Sequence, residues 1–77
     1  MDYNHFLFAH LFEANIGNFG LDYDELFEIV KAEYDMFLES PDNDKNYGLY
    51  TCIDVYLSHR KYEIEDLINE RLKNKLI

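Results

Sequence analysis

Between Asp22 and Glu39 the apolar residues Leu26, Phe27, Val30, Tyr34, Phe37 and Leu38 recur at intervals of three and four. That spacing predicts a helix with one apolar face about 120° wide. Such a face must be covered by other elements, so the rest of the chain is constrained to supply helices of matching length. Asp22 is placed to cap this helix, and Asp24, Glu25 and Glu28 follow in its first turns, where the helix dipole favours negative charge.

Three further helices are expected around it. The first runs from about Tyr3 to Ala14 and is apolar nearly all round, with Phe6, Phe8 and Phe12 spread beside Leu7 and Leu11. A helix of that kind needs cover on every side. A chain of 77 residues buries only about 60% of the surface its unfolded form exposes, so full cover is hard to provide. Two readings stay open: a central core helix, or a helix whose Phe12 and Ile16, with His5 nearby, seal a homodimer. The third helix is expected from about Tyr47 to His59, although the β-branched and aromatic content of LYTCIDVYL also suits a strand. The fourth, from about Tyr62 to Leu76, turns Ile64, Leu67, Ile68, Leu72 and Leu76 inward. Breaks are read at residues 15–20, 40–46 and 58–61. The expected fold is all-α, a single domain built as a small bundle of about four short helices.

The charge is strongly uneven. Up to Asp44 there are eleven acidic residues against Lys31 alone, and after it five acids against six bases, for a net charge of −9. On the wheel of the second helix Asp24, Glu25, Glu28, Asp35 and Glu39 fall in one arc opposite the apolar face, with Ile29 and Met36 beside them. Asp35 and Glu39 form a repulsive i,i+4 pair near the helix C-terminus, where negative charge is unfavourable. The dipole therefore accounts for only part of the acid. A domain with this balance repels phosphate backbones and anionic membranes and favours a basic partner. No predicted helix has the basic outward face of a helix-turn-helix DNA binder.

The chain carries no recognisable catalytic constellation. His5 and His10 are five apart, off the i,i+4 spacing of a zinc pair, and Cys52 and His59 lie two turns apart, too far for a nucleophile and its base. A glycine-rich phosphate loop is missing. Asp42, Asp44 and Asn46 resemble the opening D-x-D-x-N of an EF-hand loop, but Tyr47 takes the glycine position and Ile53 the position of the bidentate Glu. An ordinary polar turn is expected, with no metal, no cofactor and no enzymatic activity. The single Cys52 excludes an internal disulfide, the N-terminal segment lacks a basic signal-peptide region, and the apolar runs fall short of the roughly 20 residues of a membrane span, so a cytoplasmic protein is expected.

In composition the chain resembles small acidic phage proteins that disable host defence, such as anti-CRISPR and antirestriction DNA mimics, and also nuclease immunity proteins. That resemblance implies inhibition by occlusion of a basic, nucleic-acid-binding protein. The expected contacts are Asp24, Glu25, Glu28, Ile29, Asp35, Met36 and Glu39, extended by Asp42 and Asp44. The alternative is a helical homodimerisation or adaptor module working through the first helix.

Overall fold

The computed structural model describes residues 2–75, which form three helices: α1, Tyr3–Asn15; α2, Tyr23–Leu38; and α3, Leu49–Lys75. No strand occurs among the described residues, so the LYTCIDVYL segment is helical and the all-α class holds. The third and fourth expected helices are one. Residues 58–61 are polar but include neither glycine nor proline, and polarity alone does not interrupt a helix. At 1.5 Å per residue, the 27 residues of α3 span roughly 40 Å, close to the 45 Å longest extent of the molecule.

Both early helices start on an aspartate cap. Asp2 Oδ1 accepts the His5 N–H at 2.8 Å and Asp22 Oδ1 accepts the Glu25 N–H at 2.9 Å, each satisfying an otherwise orphaned donor. The cap hydrogen bond from His5 is the main cause of an Asp2 carboxyl held below its ordinary range. The chain leaves α1 through Gly17 at φ 99°, whose N–H donates back to the Phe12 carbonyl. Only glycine takes that left-handed backbone without a Cβ penalty. Helix α2 ends at Leu38, and Pro41 follows, which cannot continue a helix.

The three helices meet on one ring. Phe8 of α1 is fully buried and lies 5.4 Å from Tyr34 and 5.8 Å from Phe37 of α2, and 6.2 Å from Tyr56 of α3, centroid to centroid. Phe37 and Tyr56 close the cluster edge to face at 5.4 Å. Leu11, Phe12, Ile53, Leu57, Ile64 and Ile68 extend the same core. Asn15 ties the end of α1 to α3, donating to Asp54 Oδ1 at 3.0 Å.

This packing corrects several expectations. Phe12 and Ile16 are buried within the chain itself, so they are not available to seal a homodimer. His5 is half-buried with its ring 4.2 Å from that of Tyr34. What α1 leaves outward is Tyr3 and Phe6, 71% and 60% exposed, with His10 stacked beside Phe6. Ile29, expected on the surface beside the acids, is 2% exposed. The reason is that α2 is flanked by two helices, with α1 on one side and the long α3 on the other, and its buried arc widens to include Ile29 and Glu33. Leu38, counted with the apolar face, lies outside it and is exposed.

The Phe8 position supplies a direct test of the core. A domain of this length is stable by roughly 4–12 kcal/mol at 0.05–0.15 kcal/mol per residue. Phe8→Ala should cost about 3–5 kcal/mol, a large share of that stability, whereas Phe6→Ala should change stability by about 0.5 kcal/mol or less. Urea denaturation followed by far-UV circular dichroism distinguishes the two.

Candidate partner-binding surface

The acidic face of α2 forms as a by-product of how the helix packs. With the buried arc centred on Val30, Glu33 and Phe37, the opposite side carries Asp24, Glu28, Asp35 and Glu39, all exposed. At 100° per residue these four fall in an arc of roughly 60°, along about 22 Å of helix. Glu25 is half-buried, in a recess shared with Leu67, Glu70 and Arg71 of α3. The face is not free of counter-charge: Arg71 reaches Glu28 at 3.6 Å between two exposed side chains, an interaction worth at most about 1 kcal/mol. Met36 borders the face, half-exposed, with its sulfur 4.0 Å from the Arg60 guanidinium.

One acid behaves differently. Glu33 is 3% exposed, and its carboxylate takes two bonds from Arg60, Nη2 to Oε1 at 2.8 Å and Nε to Oε2 at 3.2 Å. The buried Tyr56 hydroxyl donates to Oε2 at 2.8 Å. Arg60 also holds Glu63, one turn along α3. The planar fork of a guanidinium matches a carboxylate in this bidentate way, and the phenol fills a remaining lone pair. Burial and the adjacent Glu33 carboxylate raise the Tyr56 hydroxyl well above the ordinary tyrosine value, and the hydrogen bond to Glu33 raises Arg60, which stays charged. No buried side-chain polar atom among the described residues lacks a partner. The site was missed in the sequence because Arg60 fell in an expected break. The available signal was Glu33 itself, an acid seated between Val30 and Phe37 on the apolar side of the wheel.

Beyond α2, residues 39–48 continue the acidic surface. The Ser40 carbonyl accepts the Asn43 N–H, and Asp44 Oδ1 accepts the Asn46 N–H at 2.9 Å, an Asx turn that directs the chain into α3. Asp42 Oδ2 lies 3.1 Å from Nδ1 of His59. Cys52 is buried, and its thiol donates to the Asp44 carbonyl at 3.2 Å, so thiol and imidazole serve different contacts. Pro41, Asp42, Asp44, Tyr47 and Val55 line a cleft of about 280 Å³ at this end of the molecule. Among the described residues no group of three or more His, Cys, Asp or Glu side chains is arranged to hold a metal, and no helix is long and apolar enough to cross a membrane.

The chain matches no known family. No family model fits it, and no curated protein or solved structure is similar to it.

Two outcomes test the buried cluster. Arg60→Met leaves the Glu33 carboxylate in the core without its counter-ion, which should cost about 3–5 kcal/mol at neutral pH, and the double variant Glu33→Met, Arg60→Met should recover most of that loss. Thermal or urea unfolding of the three proteins measures it. The second outcome is alkaline. Because Tyr56 is raised in the folded state, the unfolded chain releases this proton first, near pH 10, while the folded chain keeps it. The Tyr56 contribution is present below about pH 10 and declines as pH rises above it. Tyr56→Phe should lower stability by about 1–2 kcal/mol at neutral pH and flatten the decline between about pH 10 and 11. Unfolding curves across that range check the slope.

Proposed function

We propose that the protein is a small acidic binding module that docks its α2 face onto a basic, nucleic-acid-binding protein and occludes the surface where phosphates would lie. The observation that carries this reading is the separation of roles among the acids. Within α2, Glu33 is the one acid that is buried and bound into the core, while Asp24, Asp35 and Glu39 stand exposed on one side of the helix and form no ion pair among the described residues. A face held on a helix rather than a loop keeps its carboxylates at fixed spacing, so they present to a cationic surface without a further ordering cost. Met36 and Leu38, both about half exposed, flank the face and offer apolar contact area to the same partner. Anti-defence and nuclease-immunity inhibitors are the class of activity this mechanism fits, and no catalysis is required of it.

A second reading rests on α1, whose Tyr3 and Phe6 present aromatic rings to solvent. On that reading the protein is an adaptor or homodimer that associates through apolar contact, and binding is nearly indifferent to salt.

The experiment compares two triple variants against a partner captured from host lysate and then purified. Asp24→Asn, Asp35→Asn and Glu39→Gln neutralise the face; Glu13→Gln, Glu65→Gln and Asp66→Asn neutralise acids elsewhere. Both sets should fold with melting temperatures close to wild type, since the dipole interaction lost at Asp24 is offset by relief of the repulsion between Asp35 and Glu39. The first set should weaken association by about tenfold or more at low salt, mostly through the on-rate, and reduce its salt dependence. The control set should stay near wild type. Equal effects from both sets, or salt-independent binding, would reject the acidic face in favour of the α1 reading.

A further inference from the structure

The cleft where residues 41–47 meet α3 combines exposed apolar walls with two carboxylates and, unlike the recess that holds Glu25, has no arginine in its lining. Resting on the acidic-face reading above, we propose that this cleft is the anchor point of the docking surface and receives one arginine side chain of the basic partner. Its volume of about 280 Å³ falls just below the roughly 300–1,000 Å³ of small-molecule sites and suits a single long side chain. The walls include Pro41, Tyr47 and Val55, of which Tyr47 is 65% and Val55 37% exposed, so apolar surface stands open beside the two acids.

The carboxylates have capacity left. Asp44 uses Oδ1 for the Asn46 N–H, and Asp42 uses Oδ2 for His59, so each keeps one oxygen for an incoming donor. Asp42 and Asp44 are both half-buried and both line the cleft. A cation with a long apolar stem matches this lining. Its methylenes cover Val55 and Pro41 while its head reaches the carboxylates. Arginine fits better than lysine because a planar guanidinium stacks on the Tyr47 ring and spans two acceptors at once, whereas an ammonium acts as a compact point charge. The cleft also follows directly in sequence from Asp35 and Glu39, so an arginine seated there is continuous with a basic surface lying along α2.

The test uses the full chain, isotopically labelled, titrated with a blocked arginine-glycine repeat peptide and with its lysine counterpart while backbone amide shifts are recorded. The expected result is saturable shifts concentrated at residues 41–55, with the arginine peptide binding more tightly than the lysine peptide. Asp42→Asn with Asp44→Asn keeps the amide oxygens that hold the turn and removes the charge. This pair should weaken the arginine peptide by about fivefold or more, the scale of a partly exposed ion pair, as should the exposed Tyr47→Ala. Shifts spread evenly along α2 with no preference between peptides, or full binding by the Asn pair, would overturn the proposal. Repeating the comparison with the purified partner separates the two ideas: loss with the α2 triple variant but not with the cleft variants removes the anchor and leaves the acidic face standing, and salt-independent partner binding removes both.

Discussion

A single aromatic ring holds this small domain together. Phe8 is the point at which α1, α2 and α3 converge, and its contacts to Tyr34, Phe37 and Tyr56 build an aromatic centre in which every helix has a stake. In a chain that buries so little surface, rings that each bury about 150–250 Å² are the economical way to reach a stable core. The remaining core residues, mainly Leu and Ile, extend from that centre along all three helices, with Ile53, Leu57, Ile64 and Ile68 following α3. The placement of the outer faces follows. Once Phe8 fixes α1 against both partners, α2 must turn Ile29, Glu33 and Phe37 inward and Asp24, Asp35 and Glu39 outward.

The ion pair between Glu33 and Arg60 does a different job from the aromatic cluster. Hydrophobic packing tolerates small slips along a helix axis; a bidentate carboxylate-guanidinium pair with a phenol on the same oxygen does not. As a source of net stability such a pair is weak, because both ions give up hydration. Its value here lies in register. With Glu33 opposite Arg60, the antiparallel run of α2 along α3 also brings Glu28 to Arg71 and Asp42 to His59, so the acidic face, the cleft and the far end of α3 are set by one contact.

The helical class and the extents of α1 and α2 were legible because periodicity and capping agree: Asp2 and Asp22 begin helices that Gly17 and Pro41 close off. The single length of α3 was not, since residues 58–61 look like a loop in composition and only their tertiary partner, Glu33, shows why they remain helical. The acidic arc was readable from the wheel, and Asp24, Glu28, Asp35 and Glu39 are exposed as expected. The errors lay at its margin. Ile29 depends on how many helices flank α2, a quantity no local pattern contains, and Phe12 and Ile16 depend on which side of an all-apolar helix meets the core. The cleft was invisible for the same reason, because Val55 and Asp42 come together only through the packing of residues 39–48 on α3.

The unbroken course of α3 has a dynamic consequence. Its first half is clamped by Phe8, Phe37 and Asn15, whereas among the described residues beyond Arg60 the fully buried side chains reduce to Ile64 and Ile68, with Leu72 half-buried. Local opening free energy should therefore fall along the helix toward its C-terminal turns, and amide protons there should exchange with solvent well before those around Tyr56. The rigid end of the gradient is the end that carries the cleft and the last carboxylates of α2. Thermal motion is thereby shed away from the cleft, and that end of the molecule meets a partner already ordered.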